Sequence, residues 1–113
     1  MEKLKIELSQ EQGIVIMKLL GYLDAETAPK FDGVIVDLIH QNKFKLIVNL
    51  SKLDYISSAG LGVLMGKIGE IRAKGGDIVL SSLPQKIFRV LQLLGFSKLF
   101  KIVETDEEGF KAF

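Results

Sequence analysis

Ser57 and Ser58 are the residues of this chain whose type and spacing best suit chemistry. They stand in the run Asp54-Tyr55-Ile56-Ser57-Ser58-Ala59-Gly60-Leu61-Gly62, where one apolar segment ends and an amphipathic one begins. Hydroxyls at a strand–loop–helix junction can act as nucleophiles, bind a phosphate, cap the helix or accept a phosphoryl group. A nucleophile needs a strained elbow, and the G-x-S-x-G pattern is absent because Tyr55 and Ile56 precede the serines. It also needs a base, and the only histidine, His40, falls late in a different helical segment. A small esterase built on Ser58 therefore has no partner to activate it. Gly60-Leu61-Gly62 is glycine-rich at a helix start, but neither G-x-x-x-x-G-K-[ST] nor G-x-G-x-x-G is met. What survives is general: a helix N-terminus offers free N–H groups and a positive dipole end, and so favours anions.

Other chemistries find less. One histidine and no cysteine leave no ligand set for a transition metal, and no disulfide or thiolate chemistry. Asp24, Asp37, Asp54 and Asp77 are scattered over loops and helix ends and form no acid–base pair. Asp24 reads as a helix cap. The acidic run Glu104–Glu108, broken by Thr105, reads as a solvated helix start. No cofactor is expected.

The elements that must position the serines follow from periodicity. Leu4, Ile6 and Leu8 alternate with Lys3, Lys5 and Glu7, the mark of a half-buried strand over 3–9. A turn at Glu11-Gln12-Gly13 leads to a second strand over 14–20, making a hairpin. Residues 27–41 carry Phe31, Val34, Ile35, Leu38 and Ile39 on one helical stripe, with Pro29 tolerated in the first turn. A third strand is expected over 44–50, then a loop, SKLDYIS, and a helix over 58–74 with Leu61, Leu64, Ile68 and Ile71 inward. Gly75-Gly76 stops it. A strand over 77–81 follows. Pro84 then opens a helix with Ile87, Val90, Leu91 and Leu94 on one face, ahead of a short strand at 101–104 and a final helix over 106–113. The order β-β-α-β-α-β-α-β-α predicts an α/β fold with a mixed, mostly parallel sheet and helices mainly on one face. The elements use the chain up as one domain, 1–113.

Composition agrees. The 113 residues suit one core, and 48% hydrophobic with 26% charged residues is ordinary for a globular protein. Fifteen basic against 14 acidic side chains give a net charge of +1, which provides no field for nucleic acid or an anionic membrane. The N-terminus has no apolar core of a signal peptide, and GIVIMKLLGYL is too short to span a bilayer. A soluble, cytoplasmic protein is expected, with no membrane insertion.

Gly60, Gly62, Gly66 and Gly69 interrupt the helix after the serines. Each costs about 0.5–1 kcal/mol relative to Ala in a helix interior. Two readings account for them. The helix lies close on the sheet, or its first turns are kept bare for another protein's backbone, with Ser58 displayed beside them. The sequence leaves open which serine caps.

Three stretches together resemble the bacterial anti-sigma factor antagonists, which are STAS domains. They are GYLDAETAPKF, LIVNLSKLDYISSAGLGVLMGKIGEIRAKGGDIVL and RVLQLLGFSKLFKIVETDEEGF, in unbroken order over nearly the whole chain. The central block is the most specific. By this resemblance the phosphoacceptor is Ser58, and Ala59, Gly60, Leu61 and Gly62 continue its turn. Ser57 stands where the family has an acid, and Asp24 matches an Asp near the phosphorylation site. The resemblance implies a partner switch rather than an enzyme. The unmodified protein, a monomer when free, binds an anti-sigma factor that is itself a serine kinase. Phosphorylation of Ser58 ends the binding, and a serine phosphatase resets it. Asp24 and residues 57–62 would form the partner surface. Two other uses of such a domain are a docking subunit of a membrane transport complex and a sensor of a nucleotide or small molecule.

Overall fold

The computed structural model describes residues 2–113. Leu4–Glu11 (β1) and Ile14–Leu23 (β2) form the expected antiparallel hairpin, turned by Gln12 and Gly13 at positive φ. Lys45–Ile56 (β3), Asp77–Ser81 (β4) and Lys101–Val103 (β5) then add in parallel, giving the strand order β1-β2-β3-β4-β5. The crossovers are Ala28–His40 (α1), Ser58–Ala73 (α2) and Gln85–Leu93 (α3). Asp106–Phe110 (α4) closes the chain.

The main core lies between α1, α2, α3 and one face of the sheet. It includes Met17, Leu19, Leu23, Phe31, Ile35, Leu46, Val48, Leu50, Leu61 and Leu64. The helical stripe read from the sequence of α2 is inward, with Leu61, Leu64, Ile68 and Ile71 all buried. The opposite face of the sheet has a smaller core of Ile14, Ile47 and Val79 beneath α4. Helices therefore cover mainly one face, as expected.

Four expectations need correction. The segment read as the loop SKLDYIS is mostly strand, because β3 continues to Ile56. Two bulges hide it: β3 carries an extra residue between Asn49 and Lys52 and another between Leu53 and Tyr55. Each breaks the period-two pattern by which a strand is read. Asn49 Oδ1 accepts the Ser51 N–H at the first bulge (2.9 Å) and so satisfies an amide that pairing leaves free. Second, the acidic run is not wholly solvated. Asp106 accepts Ser81 Oγ–H at 2.6 Å and both its oxygens accept from Asn49 Nδ2 at 3.1 Å, which ties α4 to the sheet. Third, Leu94 lies beyond the end of α3 and is half exposed, whereas Ile87 and Leu91 are buried. Fourth, Leu8 was expected on the inner face of its strand and is 51% exposed, because β1 is the sheet's edge and Leu8 borders an open cleft beside Leu38 and Gln41 instead of close packing.

Leu64 is 1% exposed at the centre of the α2 contact. Leu64→Ala is expected to lower unfolding free energy by about 2–5 kcal/mol. A denaturant titration with unchanged midpoint and slope would contradict this packing.

Candidate functional site

The site forms where β2 and β3 end and α2 begins. Leu23, the last residue of β2, gives its carbonyl to the Ser57 N–H at 2.9 Å. Ser57 is extended (φ −106°, ψ 171°) and is the N-cap residue of α2; Ser58 is the first helical residue. The Ser57 side chain caps nothing: its Oγ is buried and has no hydrogen-bond partner among the described residues. Ser58 is exposed, Ala59 half-buried, and Gly60 and Leu61 buried, while Gly62 is exposed. The structure thus separates the two serines, one hydroxyl turned inward and the other outward on a helix end without a side-chain cap.

The glycines divide in the same way. A Cβ on Gly60 would stand 2.5 Å from Leu23 Cγ and 3.3 Å from the Leu23 carbonyl oxygen. Gly60 is therefore a packing requirement, which seats α2 on the end of β2. Gly62, Gly66 and Gly69 are exposed, and a Cβ there would meet nothing within 4 Å. Packing explains one glycine and leaves three on a bare outer face beside Met65, itself 36% exposed.

Asp24 follows Leu23 and so adjoins the α2 N-terminus. Its Oδ1 accepts the N–H groups of Glu26 (3.0 Å) and Thr27 (3.1 Å). Thr27 Oγ1 accepts the Asp24 N–H in return at 2.9 Å. This is a reciprocal capping arrangement. It starts the turn ahead of α1, whose formal N-cap is Thr27, so the cap expected at Asp24 exists one turn before the helix. The other oxygen, Oδ2, lies 2.7 Å from Lys3 Nζ, and the same ammonium donates to Glu26 Oε2 at 3.1 Å. The hydrogen bond from Lys3 holds the Asp24 carboxyl below its ordinary range, helped by the Thr27 and Glu26 amides, and Lys3 is correspondingly raised by Asp24 and Glu26. Sequence reasoning missed Lys3. It reaches Asp24 only because the hairpin register lays the start of β1 along the end of β2, with Tyr22 N–H donating to the Lys3 carbonyl at 2.9 Å. Gly21, at φ +109°, makes the approach possible, since a Cβ there would sit on that carbonyl oxygen at 2.3 Å.

Two further features flank the turn. Tyr22 and Tyr55, both about half exposed, place their ring centroids 6.1 Å apart at the ends of β2 and β3. Lys86 at the start of α3 lies 3.8 Å from Asp54. Among the described residues no group of acidic, His or Cys side chains could hold a metal, and no helix is long and apolar enough to cross a membrane. His40, the only histidine, is exposed at the end of α1, away from this turn.

Two measurements check this geometry. Gly60→Ala is expected to cost about 1–3 kcal/mol by overpacking against Leu23, whereas Gly66→Ala should stabilise by about 0.4–1 kcal/mol, as for an unhindered helical glycine. Equal effects at both positions would refute the division. The depressed Asp24 carboxyl contributes stability that is present above its unfolded value, near 3.8, and is lost as pH falls through the lower folded value. Asp24→Asn should therefore be less stable than wild type at neutral pH, with the gap closing in acid below both values. A gap that is independent of pH would mean that the charge on Asp24 adds nothing.

The geometry has relatives. The family model of the STAS domain matches residues 5–109. The anti-sigma-B factor antagonist of Listeria monocytogenes is 30% identical over 78% of this chain and 77% of its own length. The anti-sigma F factor antagonist of Paenibacillus polymyxa is 27% identical over 91% of this chain and 89% of its own. In structure, the anti-sigma factor antagonist SpoIIAA in its unphosphorylated form superposes with a TM-score of 0.82 at 24% identity, covering 96% of this chain and 95% of that one. Its phosphorylated form, described as that of a Bacillus cell fate determinant, gives 0.73 at 24% identity, covering 96% and 98%. With the five-stranded mixed sheet, the helix order and the serine–glycine turn in place, the chain belongs to the STAS domain family, among its anti-sigma factor antagonists.

Proposed function

We propose that this protein is the phosphorylatable member of a partner switch. Unmodified, it binds an anti-sigma factor with serine kinase activity through the α2 N-terminus, and so frees a sigma factor. Phosphorylation on Ser58 ends the binding, and a serine phosphatase restores it. The chain is then a substrate and not an enzyme. One observation carries the choice of residue: the Ser57 hydroxyl is buried while Ser58 is exposed on the first turn. A kinase can reach only the second without opening the fold. In the transfer, Ser58 Oγ bonds to the γ-phosphorus of ATP, the bond to ADP breaks, and the hydroxyl proton leaves to a base on the kinase.

The site also suits the product. The α2 N-terminus has no side-chain cap, so its first N–H groups are open to phosphate oxygens. A phosphoryl group brings about −1.5 to −2 charges. Its interaction with the helix end is favourable, typically by about 0.3–1 kcal/mol. The fold therefore tolerates the modification, and the penalty falls on the complex. There the dianion would be desolvated against a surface shaped for a hydroxyl. Opposing a buried polar contact in this way commonly costs a few kcal/mol, a loss of about two orders of magnitude or more in affinity. The bare outer face at Gly62, Gly66 and Gly69 supports close approach of a partner backbone, with Ala59 and Leu61 holding the turn between surface and core.

With its cognate kinase and ATP, the protein should gain one phosphoryl group. Ser58→Ala should stay unlabelled and Ser57→Ala should still be labelled; fragment-ion mapping to Ser57 would overturn the assignment. On the phosphorylated sample, a thermal melt should match the unmodified protein while a titration against the kinase shows affinity reduced about a hundredfold or more. A melt that collapses, with affinity tracking only the folded fraction, would mean that the switch works by unfolding. An unchanged melt with unchanged affinity would reject the phosphoswitch and favour a docking subunit.

A further inference from the structure

We infer that two copies of this chain pair edge to edge through β1, about a two-fold axis passing beside Ile6 and Val34. The inference is independent of the Ser58 reading, and it departs from the free monomer that the family resemblance implies.

β1 is the open edge of the sheet along its full length, Leu4–Glu11, and pairs with β2 without a register break. In an antiparallel pair, alternate residues turn their N–H and C=O groups toward the neighbour and the rest turn them outward. Two contacts fix which are which. The Lys3 carbonyl accepts from Tyr22 N–H of β2, so Lys3 faces inward. The Leu4 carbonyl instead accepts from Lys30 Nζ of α1 at 2.6 Å, so Leu4 faces outward. Leu4, Ile6 and Leu8 thus turn their backbone groups to the open edge, and in one copy the Leu4 carbonyl is held by Lys30, a donor that a second strand's Leu8 N–H would replace. An antiparallel second β1 centred on Ile6 would place Leu4 against Leu8, Ile6 against Ile6 and Leu8 against Leu4. These are the outward positions, so the ladder continues in register.

The side chains agree with that centre. Lys5 and Glu7 lie one on each side of Ile6 on the face opposite the main core, and both are exposed. Centring on Ile6 sets Lys5 of each copy against Glu7 of the other, two opposite-charge cross-strand pairs of the favourable kind. In one copy Lys5 pairs with Glu7 at 3.4 Å, and Glu7 stands opposite Lys18 of β2 on its inner side, so a second copy would add charge pairs on the open side. On the core side Leu8, 51% exposed, would be covered by the neighbouring strand.

α1 points to the same axis. Lys30 of α1 lies at the level of Leu4, and Leu38 lines an open cleft of about 270 Å³ with Leu8 and Gln41. Val34, half-way between them in α1, therefore falls at the level of Ile6. Both are half-buried apolar residues at the margin of the main core. Lys30, Val34 and Asp37 share one helix face by their spacing. Antiparallel copies of α1 would set Val34 against Val34 and bring Lys30, held by Glu2 in one copy, toward Asp37 of the other. Strand and helix thus present opposite charges symmetrically about one point. Charges on an edge strand ordinarily deter pairing; arranged this way they deter other strands and admit a second copy.

The test is sedimentation equilibrium of the full chain over a concentration series reaching the millimolar range. The wild type should show a monomer–dimer equilibrium. Lys5→Glu and Glu7→Lys should each weaken self-association by about tenfold or more, since each reverses two cross-strand pairs. An equimolar mixture of the two variants should pair again as a heterodimer. Leu8→Pro removes an N–H that the β1–β2 ladder does not use, and should abolish pairing. Circular dichroism on each variant confirms folding, and the mixing experiment uses only surface positions, so it decides the matter even if Leu8→Pro unfolds. A wild type monomeric throughout would overturn the inference. So would charge variants that associate like the wild type, or a mixture that fails to restore pairing.

Discussion

Everything at the candidate site depends on how closely α2 can approach the end of β2. The Leu23 carbonyl takes the Ser57 N–H, and the absence of a side chain at Gly60 lets the helix settle on Leu23 itself. That contact decides three things together. It buries the Ser57 hydroxyl, turns Ser58 outward, and brings the Asp24 turn beside the helix end. A larger residue at position 60 would lift the first turn and uncouple all three. The serine pair is therefore not two equivalent hydroxyls but an inside and an outside, assigned by a steric requirement two residues further on.

Much of this was legible in the residues. The α2 stripe, the hairpin, the alternation of strands and helices and the serine–glycine turn are local patterns, and local patterns survive folding when tertiary contacts agree with them. What stayed hidden depends on register. The strand from Ser51 to Ile56 was concealed by its bulges, because an extra residue shifts the inward set by one position. Asp106 looked like a solvated helix acid because its partners, Asn49 and Ser81, lie on strands far away in sequence. Lys3 gave no signal, since only hairpin pairing brings it to Asp24. The four glycines looked alike in sequence, and the difference between Gly60 and the others became visible only with their neighbours in place.

Gly62, Gly66 and Gly69 deserve a physical accounting of another sort. Each lowers helix stability by about 0.5–1 kcal/mol relative to Ala, and none is required by packing. The main core is large enough to carry that cost: α2 buries Leu61, Leu64, Ile68 and Ile71 on its other side. A helix anchored so firmly on one face can leave the opposite face nearly without side chains. Such a surface is flat, admits a backbone closely, and presents few groups that must be desolvated on contact.

β1 lies between the Asp24 turn and the open edge of the sheet. Lys3, just before this strand, pairs with one oxygen of Asp24, the residue after the Leu23 that receives the start of α2. A bare Asp24 would repel an arriving anion at full strength; the Lys3 ammonium 2.7 Å away, shared with Glu26, offsets part of that charge. Under the proposed switch, the helix end would hold an anion on the free protein and oppose one pressed against a dry interface, where screening by water is lost. The same strand's outer edge carries Lys5 and Glu7 in an order that favours its own copy. The N-terminal segment thus meets the Asp24 turn through Lys3 and the open sheet edge through β1, so the two proposed contacts fall on separate surfaces.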